Sequence, residues 1–129
     1  MNEEESKNAN ELLSRLLECE EMCEMSISYS LHQRGDFAKQ DHIKWLQDCT
    51  DVCNLSKKYF IRDSEYVGDT LNLCSYICDD CAESCETFFE DQQMVDCGKI
   101  CRECANACRS AIEEQMDEDI EEEELGDKE

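Results

Sequence analysis

Two stretches decide the fold: Cys74-Ser-Tyr-Ile-Cys78-Asp-Asp-Cys81-Ala-Glu-Ser-Cys85 and Cys97-Gly-Lys-Ile-Cys101-Arg-Glu-Cys104-Ala-Asn-Ala-Cys108. In each, cysteines recur after four, three and four residues. At about 100° per residue this places the four thiols of either stretch within roughly 60° of arc, one stripe along a helix. The same C-x-x-x-C unit occurs once in each of two earlier segments, as Cys19 with Cys23 and Cys49 with Cys53, so all twelve cysteines of the 129-residue chain belong to such pairs.

The rest of the composition agrees with helices. There is no proline and there are four glycines, too few to punctuate an all-β chain. Breaks fall at Gln33-Arg34-Gly35-Asp36, at Ile61-Arg62-Asp63-Ser64 and at Glu90-Asp91-Gln92, where Asp and Ser are placed to cap the next helix. The expectation is four helices near 7–31, 37–60, 65–89 and 92–116 with short connections, an all-α, antiparallel up-down-up-down four-helix bundle with a cysteine-lined core. From 117 to 129 nine of thirteen residues are acidic; such a segment repels itself and reads as an acidic disordered tail.

Antiparallel neighbours at equal height have residue numbers with a common total, so the cysteines can be paired by arithmetic. Helices three and four pair 85 with 97, 81 with 101, 78 with 104 and 74 with 108, centred on Asp91. Helices two and three pair 53 with 74 and 49 with 78, and helices one and two pair 19 with 53 and 23 with 49 around Asp36. One predicted layer therefore holds Cys19, Cys53, Cys74 and Cys108, and the next Cys23, Cys49, Cys78 and Cys104. Beyond these, Cys81 and Cys101 face Leu46 and the region of Ser26 and Ile27, then Cys85 and Cys97 meet His42 and Ser30, with Met94 past them. The other end continues as an aliphatic plug of Leu16, Leu12, Val67, Leu71, Ala111 and Ile112.

Twelve basic against 34 acidic residues give a formal net charge of −22. That deficit of Lys and Arg argues against nucleic acid and anionic membranes as partners, and favours cations. The Met1–Lys7 stretch is acidic where a secretory leader is basic, and no apolar run approaches the roughly 18 residues of a membrane span. The expected location is the cytoplasm, whose reducing conditions keep thiols available as ligands.

Thiolates are soft ligands that select Cu(I), zinc or iron-sulfur clusters. Cu(I) accepts two or three sulfurs without zinc's strict tetrahedron, so continuous stripes of bridging thiols suit multiple Cu(I) ions. An apolar core holds few bare thiolates, so each arriving Cu(I) releases a proton, and charge balance sets a capacity on the order of a dozen ions. A core packed only for stability would use Leu and Ile instead.

The two double stretches, with Asp48-Cys49-Thr-Asp-Val-Cys53 before them, resemble the bacterial cysteine-rich four-helix-bundle copper storage proteins of the cytosolic type, over roughly residues 12 to 112. The resemblance implies storage and detoxification of Cu(I) on Cys pairs inside the bundle, and a homotetramer. It also implies His or Met ligands near an open mouth, here His42 and Met94, and a copper-delivering protein or small thiol as partner. The first two helices depart from the fuller pattern with one C-x-x-x-C each, and Leu46 sits where another thiol would fit.

Two other readings stand beside storage. A zinc or iron-sulfur protein would use two four-cysteine layers, and a disulfide-stapled helical scaffold or chaperone would bridge 85 with 97 and 81 with 101. An enzyme is not expected, because no nucleophile with its base, phosphate loop or carboxylate pair stands out. His32 falls in a loop, Met22 and Met25 lie off the helix-one stripe, and Met116 ends helix four. Trp45, Val52 and Tyr59, with Leu73, Ile77, Phe88 and Phe89, form a second apolar strip suited to packing between helices or between subunits.

Overall fold

The structure is a computed structural model that describes residues 2–126, with side chains described through Gln115. Four helices succeed one another: α1 (Glu3–Gln33), α2 (Gln40–Ile61), α3 (Val67–Glu86) and α4 (Gln92–Gly126), with a short 3-10 turn at Gly35–Ala38. Each helix packs on two neighbours, α1 and α3 both lying against α2 and α4, as in an antiparallel bundle. Among the described residues no helix is long and apolar enough to cross a membrane.

Local chemistry accounts for the helix starts. Asn2 caps α1 by accepting the Glu5 amide at 2.8 Å, with Glu3, Glu4 and Glu5 in the first turn facing the positive end of the helix dipole. Asp91 does the same for α4, its Oδ1 accepting the Met94 amide at 3.0 Å. Between α2 and α3 the chain reverses through Asp63 in the left-handed region, φ 53°, and the Ser64 hydroxyl accepts the Tyr66 amide.

Several boundaries differ from those read in the sequence. Helix α1 runs to Gln33 and therefore includes His32, which is exposed with its Nδ1 3.0 Å from the Ser28 carbonyl, rather than in a loop. Residues 37 and 38, expected to open α2, belong to the 3-10 turn, and α3 starts two residues later and ends three earlier than expected. Helix α4 continues beyond 116 to Gly126, so the backbone expected as an unstructured tail is helical over 117–126. Glu, Met and Leu are good helix formers, and adding residues to a nucleated helix is far easier than starting one. Residues 127–129 of the expected tail lie outside the described residues.

The core runs the length of the bundle. Leu12, Leu16 and Leu71 close one end, all twelve cysteines are fully buried in the middle, and Ser26, Ser30, His42 and Met94 are buried at the other end. The thiol stripes of α3 and α4 come together across small residues. A Cβ on Gly98 would stand 3.4 Å from Glu86 Cγ and 3.5 Å from the Ala82 carbonyl, the contact distance that glycine leaves open. Arg102 then ties the outer faces, reaching Asp79 at 3.1 Å and Glu86 at 2.6 Å. Of the second apolar strip, Val52 is buried, whereas Leu73 and Phe89 are exposed.

Candidate metal centre

Every helix contributes its cysteine stripe to one continuous column of sulfur. Cys53 lies 3.9 Å from both Cys78 and Cys104, and with Cys19 these three form a group whose Sγ atoms all lie within 4.8 Å of one another. A second such group is Cys19, Cys23, Cys49 and Cys101, where Cys19 stands 3.6 Å from Cys49 and Cys23 stands 3.7 Å from Cys101. Cys74, Cys104 and Cys108 make a third. Cys19 is common to the first two groups and Cys104 to the first and third, so none of the three is a separate site.

The α2–α3 pairing is the one read from residue numbers: Cys49 lies 3.6 Å from Cys78 and Cys53 lies 3.9 Å from Cys74. The expected α1–α2 neighbours, Cys19 with Cys53 and Cys23 with Cys49, also lie within 4.8 Å of each other, although Cys19 reaches Cys49 as well at 3.6 Å. The difference is between α1 and α4: Cys19 meets Cys101 at 3.8 Å and Cys104 in place of the expected Cys108, and Cys23 meets Cys101 at 3.7 Å in place of the expected Cys104. With Cys19 and Cys104 each shared between groups, the expected flat four-cysteine layers are replaced by a staggered, interlocked column.

Cys81, Cys85 and Cys97 continue the column towards His42 and Met94. His42 Nε2 lies 3.3 Å from Met94 Sδ, and its Nδ1 lies 2.7 Å from the Ser84 hydroxyl. The Ser30 hydroxyl approaches Met94 Sδ from α1 at 4.0 Å. This end is covered: His42 is 4% exposed and Met94 0%. Phe37 from the 3-10 turn stacks on Phe88 with centroids 4.3 Å apart, the edge of Tyr29 meets Phe37, and the Tyr29 hydroxyl donates to Asp91. The open mouth expected from the sequence is closed by these aromatic side chains. None of Tyr29, Phe37 or Ser84 belongs to a cysteine stripe, so periodicity gave no sign of them, and Asp91 is legible only as the turn before α4. Met22 is partly buried, taking the Gln93 amide at 3.4 Å, and Met25 is exposed on the outside of α1.

Hydrogen bonding among the thiols splits their hold on protons: bonds from neighbouring thiols hold Cys19, Cys49, Cys74 and Cys97 below the ordinary thiol range, and others are held above it. Hydrogen bonds to Cys81 and Cys97, together with burial, push the Cys85 thiol well above its ordinary range, and bonds to Cys104 and Cys74 with burial do the same for Cys108. Burial lowers His42, opposed by the charge of a thiolate at Cys97, so its imidazole is neutral near pH 7. All twelve cysteines are free thiols.

Neutral imidazole, thioether and closely spaced thiols are all soft or borderline donors, and among the described residues the groups spaced to hold an ion consist of cysteines. Over residues 5–113 the chain matches the family model described as "Csp: Copper storage protein". The chain belongs to the copper storage protein family. Among solved structures it is similar to the Nmul_A1745 protein from Nitrosospira multiformis, at 27% identity and TM-score 0.76, covering 83% of this chain and 96% of that one. It is also similar to Cu(I)-bound copper storage protein BsCsp3, at 24% identity and TM-score 0.75 over 80% and 96% of the two chains. The apo form of copper storage protein 3 from Bacillus subtilis gives 24% identity and TM-score 0.72 over 81% and 98%. No curated protein matches the chain. In a member of the copper storage family, the sulfur column is the place where cargo would sit.

Proposed function

We infer that this protein stores multiple Cu(I) ions on the thiolates of Cys19, Cys23, Cys49, Cys53, Cys74, Cys78, Cys81, Cys85, Cys97, Cys101, Cys104 and Cys108. His42 and Met94 serve as ligands at the end where ions arrive. Sharing of Cys19 and Cys104 between neighbouring groups carries the reading. With metal–sulfur bonds near 2.3 Å, sulfurs around one ion stand roughly 3.8–4.0 Å apart, close to the separations found here. A structural zinc site keeps four ligands to itself, whereas a thiolate common to two groups must bridge, which suits clustered Cu(I).

Copper is the substrate in this scheme, and the role is storage rather than catalysis. Ions pass from His42 and Met94 to Cys85 and Cys97 and then inward, each exchanging for a thiol proton until the core holds on the order of a dozen. A dry thiolate core keeps the metal from solvent and from other sites. The cytoplasm, a copper-delivering protein or small thiol, and a homotetramer complete the proposal, without nucleic acid or membrane as partners.

The test is an anaerobic Cu(I) titration of fully reduced protein against a competing high-affinity chelator, with thiols counted before and after. Tight uptake of many equivalents, well beyond two, is expected. Saturation at two equivalents or fewer overturns storage, and a fixed two-zinc content resistant to Cu(I) would select the zinc reading, for which the Cys19, Cys53, Cys78 and Cys104 group has suitable spacing.

A further inference from the structure

His42 lies between two contacts of different kinds. On one side of the ring Nε2 faces the Met94 thioether at 3.3 Å; on the other Nδ1 faces the Ser84 hydroxyl at 2.7 Å. Ser84 sits on α3, one residue before Cys85 and outside the thiol stripe, and His42 sits on α2. The bond therefore fixes the ring of one helix from its neighbour. Phe88, its ring centroid 5.0 Å from that of His42, limits how far the imidazole can swing.

A serine hydroxyl rotates freely and can donate to a bare ring nitrogen or accept from a protonated one. When a metal takes Nε2, the ring proton must reside on Nδ1, and a metal-bound histidine is held by the group that accepts it. Ser84 is the group in place. With bonds near 2.0 Å to nitrogen and 2.3 Å to sulfur, one ion shared at a tetrahedral angle needs the two donors about 3.5 Å apart. The present 3.3 Å separation is a small movement of a flexible methionine away from that.

We propose that Ser84 is the positioning residue for His42: its Oγ accepts the Nδ1 proton and so keeps Nε2 directed at Met94 to receive an arriving Cu(I). The proposal rests on the reading of His42 as a copper ligand. It adds a residue from outside the sulfur column whose role is to select which ring nitrogen meets the metal.

The experiment records ¹⁵N shifts of the His42 ring in reduced protein before and after saturation with Cu(I), when the inner thiols are filled, with uptake rates for Ser84→Ala, Ser84→Thr and His42→Gln. Expected results are a metal-shifted Nε2 with a protonated Nδ1 in the wild type, and a mixture of ring states in Ser84→Ala. Uptake in Ser84→Ala should slow about tenfold, and Ser84→Thr, which keeps the hydroxyl, should restore both signals. Copper on Nδ1, or Ser84→Ala loading at the wild-type rate while His42→Gln loads slowly, overturns the role of Ser84 and leaves His42 as a ligand. His42→Gln loading as fast as the wild type, with Nε2 unshifted, overturns the ligand reading and the proposal together.

Discussion

Cys19 Sγ stands 3.6 Å from Cys49 Sγ while also belonging to the group completed by Cys53, Cys78 and Cys104, so one side chain of α1 joins two clusters of thiols. Cys108, by contrast, belongs to one group at the end of the column. Cys19→Ser, which nearly preserves volume, is expected to lower the number of Cu(I) equivalents bound by more than Cys108→Ser does. Anaerobic titration of the two variants side by side measures the difference. Equal losses would mean that the shared position has no special part in the loaded core.

The aromatic cover over His42 and Met94 leads to a kinetic expectation. Offset ring pairs contribute about 1 kcal/mol beyond their buried area, so losing the Phe37–Phe88 stack should raise the population of an open end roughly fivefold. Phe37→Ala should therefore load Cu(I) several-fold faster at unchanged capacity in stopped-flow uptake. Phe89→Ala, at a side chain 75% exposed, should load at the wild-type rate.

The bundle and its sulfur column could be read from the sequence because cysteine spacing records both helical phase and the height of antiparallel neighbours. Cys49 against Cys78 and Cys53 against Cys74 come directly from numbering. The height of α1 against α4 does not, because those two helices are joined through two others and no single turn sets their register; Cys19 and Cys23 both meet Cys101 instead of Cys108 and Cys104. The cover and Ser84 were hidden for a different reason. Tyr29 and Phe37 are off every cysteine stripe, Phe88 reads only as part of an apolar strip and Asp91 only as a turn, and the four meet only once the bundle has formed.

The raised thiols give the empty protein a definite pH response. Cys85 and Cys108 bind their protons more tightly when folded than when unfolded, so their contribution to stability is complete below the unfolded thiol value near 9 and is lost as pH rises above it. The melting temperature of reduced, copper-free protein should be level through neutral pH with respect to these groups and fall above about pH 9. Copper-loaded protein, whose thiolates have already lost their protons, should not show that alkaline fall. The same linkage makes Cu(I) loading acidify a weakly buffered solution and tighten as pH rises, which a pH-indicator titration can follow.

Leu16 separates the stability of the fold from the capacity of its cargo site. It is fully buried in the aliphatic end of the core, next along the buried stripe of α1 from Cys19, and has no donor atom of its own. Leu16→Ala removes buried methyl groups and leaves a cavity, which costs about 2–5 kcal/mol. In the copper-free protein this should appear as a clear drop in denaturant midpoint. Ions that bind only the folded chain stabilise it by mass action, so the loaded variant should recover much of the loss while binding the wild-type number of Cu(I) equivalents. A variant that folds yet loads fewer ions would show that the aliphatic end holds the sulfur column in place as well as closing it.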